Sequence, residues 1–396
     1  MPDSRDSDFC SRNPSRREFG MLLGGALVAL GGKPTPSHHS HHSPTPNPRS
    51  PNDDARDIYR RAIVIDCLAT PGPFNIPWPP RGPLSKAQLD NTTKSGITAV
   101  NVTVSDVSLD RTIRNIAYWQ NEAALHPTHF TLVRAHADIG RAKQSSLLGL
   151  ILGMQGTDVL GRDLSMIETM YGLGVRVIQL TYNDRALAGD GCLEPANAGL
   201  SRFGRDMVKR LNEMRIVVDL SHAGSQTTAD AISASTKPVI ISHTGCRALY
   251  RHPRNQEDRE LKSMADRGGV VGIYLMPFLG GAPSPYATAD LVVQHIEHAL
   301  KVCGADHVGI GSDNSITPVE ETPEYLRIKT ESVADRVKRG ISAPDEDRFP
   351  YIPDLNHPRR LETIAVALEK RGHPAAVIEK VIGGNFGRVM GEVWGV

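Results

Sequence analysis

The sequence has almost no net charge, few cysteines and no apolar run long enough to cross a membrane. Its 45 lysines and arginines nearly balance its 44 aspartates and glutamates, which argues against nucleic acid or an anionic membrane as a partner. Its five cysteines are widely separated and form no Cys-x-x-Cys pair, so we expect no disulfide framework. The 396 residues, 39% of them hydrophobic, suffice for one large α/β domain or two smaller ones.

The N-terminal segment predicts export from the cytoplasm. Arg16 and Arg17 precede Met21 to Gly32, a mildly apolar run that is shorter than the ~20 residues a bilayer requires. This pattern predicts a twin-arginine signal over residues 1–32, with an ordinary basic tail as the alternative. We therefore expect the protein to use the twin-arginine export machinery and to be periplasmic or exported. Since no clear cleavage site follows, an uncleaved, membrane-anchoring N-terminus stays open.

A change of composition separates this segment from the folded domain. Residues 33–53 are rich in Pro, Ser, His and Asn, and such a stretch buries too little apolar surface to order itself. We interpret it as a disordered linker, so the folded domain is expected over residues 54–396.

Short apolar runs alternate with helical patterns through that domain. The runs show no polar alternation, as a parallel sheet covered on both faces requires; they are Ala62 to Asp66, Ile97 to Val104, Phe130 to Ala135, Leu147 to Met154, Val175 to Thr181, Ile216 to Ser221, Val239 to Ser242, Val270 to Leu275 and His307 to Gly311. Strand and helix alternate about eight times, and no Gly-x-Gly-x-x-Gly motif follows the first strand. The pattern predicts an α/β protein of the TIM-like (β/α)8 barrel class.

Two of these runs end in Ser-His. Because the chemistry of such barrels lies at the carboxyl ends of the strands, the residues just past each run are the candidates for a site. His222 and His243 stand 21 residues apart, about one strand-helix unit, so they should lie on adjacent strands. Pairs of imidazoles suit zinc. A structural role would be the better interpretation for either histidine alone, but the repeated ending predicts a metal site.

Two further residues near strand ends carry suitable chemistry. Asp313 follows the run that begins at His307, where a carboxylate can orient water or take its proton, or else cap the next helix. Arg254 lies in the loop after His243. A guanidinium group there is well shaped to bind a substrate carboxylate in a fork, although loop arginines are often simply solvated.

Several ordered motifs resemble the membrane (renal) dipeptidase family of zinc peptidases, peptidase family M19. The resemblance covers about residues 55–396, and the matching stretches are Tyr171–Asn183, Val218–His222, Pro238–His243, His252–Asn255, Gly309–Asp313 and, more weakly, Gly384–Val389. It implies a barrel of the metallo-dependent hydrolase type in which two zinc ions hydrolyse dipeptides. By position, it implies that His222 and His243 bind the second zinc, that Arg254 binds the substrate's terminal carboxylate and that Asp313 is the catalytic acid/base.

The residues expected around the first zinc are replaced. Where the family's first strand ends in Asp-Gly-His-x-Asp, this chain has Asp66-Cys67-Leu68-Ala69-Thr70, and Gln155 stands at the position of the bridging glutamate. A neutral amide does little to hold two cations together. Tyr182 replaces the family's substrate-polarising histidine and can still donate a hydrogen bond; with Asn183 it is expected to contact the substrate. Gln155 and Asp66 remain as weak candidate ligands.

The pattern of losses leaves three hypotheses. We predict a metal-dependent hydrolase that cleaves dipeptides or a similar small amide with about one zinc ion per chain. The alternatives are a degenerate barrel that binds a small peptide or carboxylate without cleaving it, and a different reaction in the same pocket. A charged segment around Lys329 to Asp354 is compatible with covering the mouth of the barrel or with docking a second copy in a homodimer.

Overall fold

The fold is that of a computed structural model, which describes residues 54–72, 82–280 and 287–395. The predicted export signal and linker lie outside these residues. The strands are β1 to β11 in chain order: Ile65–Asp66, Ala69–Thr70, Ala99–Thr103, Phe130–Leu132, Leu148–Gln155, Val175–Gln179, Val217–Asp219, Ile240–Thr244, Val270–Ile273, Val308–Ile310 and Asn314–Ser315.

Thirteen α-helices accompany the strands in the described residues. In chain order, α1 to α13 are Ala55–Arg61, Lys86–Ser95, Leu109–Leu125, His136–Gln144, Met166–Gly172, Arg202–Glu213, Ser225–Ala234, Asp258–Asp266, Ala289–Cys303, Pro323–Lys338, Arg360–Lys370, Ala375–Glu379 and Asn385–Trp394. None of the helices in this part of the chain combines the length and the hydropathy that a membrane span requires.

Eight parallel strands form the barrel, in the order β1-β3-β5-β6-β7-β8-β9-β10. The predicted (β/α)8 barrel is thereby confirmed. The run at Phe130 forms only the short β4, which pairs with β5 outside this order. The first and last barrel strands meet through a hydrogen bond from the Cys67 amide to the Ile310 carbonyl, 3.0 Å long, and through the small parallel pair β2 and β11.

Local sequence explains where the helices begin and which face they bury. The Ser201 side chain accepts a hydrogen bond from the Gly204 amide at the start of α6, which satisfies a donor that the helix itself leaves unpaired. Met207, Val208 and Leu211 are buried along one stripe of α6, the spacing expected of a helix that covers a sheet. Thr288 and Thr322 cap α9 and α10 in the same way.

The last helix closes the amino-terminal end of the barrel. Phe386, Val389, Met390 and Val393 of α13 pack with side chains from seven barrel strands, most of them at strand starts. Phe386 also needs the glycine at position 309, since a Cβ there would lie 2.5 Å from its ring. The candidate site lies at the opposite end of the barrel, where the strands end.

Candidate active site

His222 and His243 come from neighbouring strands, as expected. β7 pairs with β8 at Asp219 and Ile240; His222 follows β7 and His243 lies within β8. The ring centroids of the two histidines are 5.0 Å apart, and the ring planes are inclined by 64°. The two imidazoles are therefore close enough for both to reach one ion.

A β-bulge in β8 determines the direction in which the His243 side chain points. The register between β8 and β9 pairs Ile241 with Val271 but Thr244 with Ile273, so one strand advances three residues while the other advances two. Such bulges redirect side chains and are common beside active sites. The Ser242 carbonyl at the bulge fits only because residues 272 and 311 are glycines, whose Cβ atoms would lie 2.1 and 1.9 Å from its oxygen.

Buried hydrogen bonds fix the tautomer of His243. The Ser242 hydroxyl donates to the Asp219 carboxylate and lies 2.8 Å from His243 Nδ1. Since its only proton is used by Asp219, the hydroxyl accepts from Nδ1–H. Nε2 then carries the lone pair, and this buried atom has no hydrogen-bond partner among the described residues. A buried nitrogen with no partner is costly unless something binds it.

Asn183 fixes the tautomer of His222. Its Oδ1 lies 2.6 Å from His222 Nδ1, while its Nδ2 donates to the Ile341 carbonyl at 2.8 Å. The second bond identifies which end of the amide is oxygen, so Nδ1 of His222 must be the donor and Nε2 the acceptor. Asn183 does not line the cavity. Its side chain holds His222, and the predicted substrate contact of Asn183 stays a prediction.

Both histidines are neutral and poised as ligands. Burial, and secondarily the nearby Arg254 guanidinium, lowers the pKa of His222 and of His243 well below the usual value. Neutral imidazole is the form that binds a metal. The tautomers, the orphaned Nε2 of His243 and the short separation all fit one zinc-type cation.

The donor set is nevertheless small. Across residues 54–72, 82–280 and 287–395, no group of three or more His, Cys, Asp or Glu side chains is arranged to hold an ion. Within these ranges, the two imidazoles are therefore not part of a larger cluster of such donors.

A cavity of about 290 Å³ opens beside His222. Its wall includes Tyr182, Arg254 and Asp313, and its roof comes from α10 and the following loop. The Tyr182 ring stacks on His222 with centroids 4.2 Å apart, and burial raises the pKa of its phenol, which therefore remains a hydrogen-bond donor. The structure thus places three of the predicted substrate and catalytic residues around one space.

Arg254 and Asp313 have features expected of residues that act on a substrate. Arg254 is 3% exposed, and its buried Nη2 has no hydrogen-bond partner in the described part of the chain. Asp313 adopts a left-handed backbone with φ of 57°, and His222 does so with φ of 63°. Non-glycine residues rarely take this conformation, and when they do they are concentrated at functional sites.

The two weak candidate ligands are placed differently. Asp66 is fully buried, and its Oδ2 lies 3.2 Å from Nη2 of Arg360. Its Oδ1 accepts from the Ser312 amide at 2.7 Å, so an ion would have to displace protein partners from this carboxylate. Gln155 ends β5, is half-buried and does not line the cavity. Asp66 forms no metal-binding group with His222 and His243 among the described residues.

A lid covers the cavity. We use this name for residues 323–350, which comprise α10 and the loop after it. Besides the bond from Asn183, the lid is held by His252 Nε2, which donates to the Pro344 carbonyl at 2.9 Å, and by the Tyr250 hydroxyl, which donates to Asp345 at 2.9 Å. Of the two roles considered for this charged segment, covering the mouth is therefore the one seen, and a homodimer stays a prediction.

Sequence reasoning missed Asp219, Arg360 and the basic residues of the lid. Asp219 had a local clue, because it stands three residues before His222 in Asp-x-Ser-His, and carboxylates often support metal-binding histidines indirectly. Arg360 had none, since its partner Asp66 lies 294 residues away.

Comparisons with known proteins agree with this architecture. Residues 89–327, more than half of the chain, match the family described as membrane dipeptidase (peptidase family M19). Dipeptidase tcpJ of Claviceps purpurea (strain 20.1) is 29% identical over 271 residues, which are 67% of this chain and 63% of that relative. Dipeptidase verJ of Clonostachys rogersoniana is 31% identical over 218 residues, 53% of this chain and 55% of that relative. The chain thus spans about 55–63% of the length of these two relatives.

A solved structure extends the match to nearly the whole domain. An amidohydrolase from Pseudomonas aeruginosa superposes with a TM-score of 0.75 at 30% identity, covering 87% of this chain and 100% of that one. The barrel, the paired strand-end histidines and the family match agree. The chain belongs to the membrane dipeptidase family, peptidase family M19, and has its TIM-like metallo-dependent hydrolase fold.

Proposed function

We propose that this protein is a metal-dependent hydrolase that cleaves dipeptides or a similar small amide, using one zinc ion held by His222 and His243. The observation that carries the proposal is the buried pair of neutral imidazoles, 5.0 Å apart between ring centroids, beside a cavity lined by Arg254 and Asp313. The family is one of metallopeptidases, and the similar proteins tcpJ and verJ are named dipeptidases.

Three side chains that line the cavity are each assigned a separate role in hydrolysis. When bound, zinc supplies Lewis acidity that makes an amide carbonyl more electrophilic and water more acidic. Arg254 binds the substrate carboxylate through its free Nη2, and the Tyr182 phenol donates a hydrogen bond to the substrate. Asp313 takes a proton from the attacking water and passes it to the leaving amine nitrogen. A C–O bond forms, the C–N bond breaks, and one water is consumed.

The test combines metal analysis with variants that separate binding from catalysis. We expect about one zinc per purified chain, loss of that zinc in His243→Ala, and full zinc retention in Arg254→Met. We expect Arg254→Met to raise KM for dipeptides, and Asp313→Asn to lower kcat by about 10²-fold or more, the usual scale for a lost acid/base. Elemental analysis and steady-state kinetics check these values. Full metal content in His243→Ala, or two zinc ions per wild-type chain, contradicts the proposal.

A second candidate is a barrel that binds a small peptide or carboxylate without cleaving it. It is favoured by Leu68, Thr70 and Gln155, which stand where the resemblance implies ligands of the first zinc, and by the small donor set in the described residues. Calorimetric binding of dipeptides to folded protein that holds no zinc and shows no turnover would favour this candidate.

We also propose that the protein is exported through its twin-arginine segment. Replacing Arg16 and Arg17 with lysines should retain the protein in the cytoplasmic fraction of a bacterial host, whereas the same exchange at Arg56 and Arg60 should not. Unchanged distribution of the first variant contradicts export by this route.

A further inference from the structure

The inner face of the lid helix is polar and basic. Lys329, Ser332, Val333 and Arg336 recur at helical spacing, are half-buried and line the cavity. No residue of α10 is fully buried, so the helix does not dock by inserting an apolar stripe into a core, as most surface helices do. Charge and hydrogen bonding therefore determine how this helix meets the cavity.

More cations than carboxylates line the cavity, and one of these cations, Arg348, pairs with Asp345 at 3.0 Å. The cavity wall carries five basic side chains and three acidic ones: Arg254, Lys329, Arg336, Arg339 and Arg348 against Asp313, Asp335 and Glu346. Two of the acids are already neutralised. Glu346 forms a forked pair with Arg336, with both N–O distances at 2.7 Å, and Asp335 lies 3.4 Å from Arg339 on the exposed rim.

Among the lid cations that line the cavity, Lys329 is the one for which the described residues provide no ion pair. No carboxylate of the described residues lies within ion-pair distance of its ammonium group, which donates to the Asp347 carbonyl and lies 5.1 Å from the centre of the Phe349 ring. Burial lowers its pKa more than the nearby carboxylates of Asp347 and Glu321 raise it, because desolvation disfavours the charged form. An anion in the cavity would offset that penalty. Arg254, which lines the same cavity, also has one donor without a hydrogen-bond partner among the described residues.

We propose, resting on the hydrolase function above, that the preferred substrates are dipeptides with a second carboxylate, supplied by an aspartate or glutamate residue. Arg254 binds one carboxylate and the lid binds the other through Lys329. Met276, Pro277 and Phe278 line the same cavity and provide apolar surface for the part of the substrate between its two charges.

Matched substrates and one lid variant test this assignment. In zinc-loaded protein, kcat/KM should be about tenfold higher or more for a dipeptide containing Asp or Glu than for its Asn or Gln counterpart, since one ionic contact of ~1.4 kcal/mol corresponds to tenfold. Lys329→Met should bring that ratio close to one. Lys338→Met, which removes an exposed lysine of the same helix outside the cavity, should leave the ratio at its wild-type value.

The outcomes separate this inference from the function on which it rests. Efficient hydrolysis of neutral dipeptides with a ratio of one or less overturns the acidic preference and leaves the hydrolase intact. A wild-type ratio that survives in Lys329→Met overturns the role of the lid. If no dipeptide is hydrolysed, the proposed function fails, and calorimetry with the same Asp and Asn dipeptides still decides: tighter binding of the acidic one supports the inference, and equal binding overturns it.

Discussion

His243 is supported by hydrogen bonds that lead back to one buried carboxylate. Asp219 accepts from the Ser221 and Ser242 hydroxyls and from the Ser242 amide, and Ser242 in turn receives Nδ1–H of His243. Burial raises the pKa of Asp219, and these hydrogen bonds partly oppose that shift. The carboxylate therefore acts on the imidazole through a hydroxyl, as an indirect version of the carboxylate-histidine support found at many metal sites.

Removing the hydroxyl should weaken metal binding without unfolding the protein. We expect Ser242→Ala to raise the zinc dissociation constant 10- to 100-fold, the range for lost support of a ligand, because Nδ1–H of His243 loses its acceptor. Competition with a chromophoric chelator measures the constant. Ser165→Ala, at an exposed serine before α5, serves as the control. Equal zinc affinity in all three proteins would show that the hydroxyl does not position the histidine.

At the scale of elements, Asn183 joins the lid to a candidate metal ligand. Its two side-chain ends contact His222 and the Ile341 carbonyl. Any movement of the lid that breaks the second contact frees the amide that orients His222. Lid position and imidazole orientation are thus coupled through one buried side chain.

Asn183→Asp should separate these two functions. The new carboxylate still accepts from His222 but cannot donate to Ile341, and it faces a carbonyl oxygen instead. We expect faster amide hydrogen exchange in residues 323–350 and unchanged exchange in α6, with zinc retained. Exchange followed by mass spectrometry gives both values. Unaltered protection of the lid would mean that its other contacts suffice to hold it.

The sequence predicted these elements unevenly. The strand runs and the adjacency of His222 and His243 could be predicted, because buried parallel strands have a local apolar pattern and a known spacing. The bulge at Ser242, the partner of Asn183 and the place of α10 could not. Each depends on atoms far away in the chain, such as Ile341, which lies 158 residues from Asn183. Local sequence patterns do not predict such long-range contacts.

At the scale of the whole molecule, buried histidines make stability depend on pH. His295 is fully buried; its Nδ1 accepts from the Cys246 amide and its Nε2 donates to the Leu279 carbonyl, both at 2.9 Å. Burial lowers the pKa of His295 from 6.5 to about 4. The unfolded chain therefore binds a proton at a pH where the folded protein does not. The stabilisation is complete above pH 6.5 and is lost as the pH falls towards 4.

The free energy of unfolding should accordingly fall on acidification. We expect His295 to lower the free energy of unfolding by about 3 kcal/mol between neutral pH and pH 4, at 1.36 kcal/mol per unit of pKa difference. Urea denaturation at a series of pH values measures the slope, which should be shallower in His295→Gln even though that variant is less stable throughout. If the slope is the same in the wild-type protein and in His295→Gln, groups other than His295 cause the pH dependence.

The barrel also depends on the order in which its parts are made. Every strand precedes α13 in the chain, yet α13 supplies the apolar plug for the amino-terminal end. During synthesis, at about 5–20 residues per second, domains generally fold as units and exposed apolar surface invites aggregation. If synthesis stalled after β10, the barrel would therefore have all eight strands but no α13 to cover the apolar side chains at its amino-terminal end. Such exposed apolar surface is what chaperones bind.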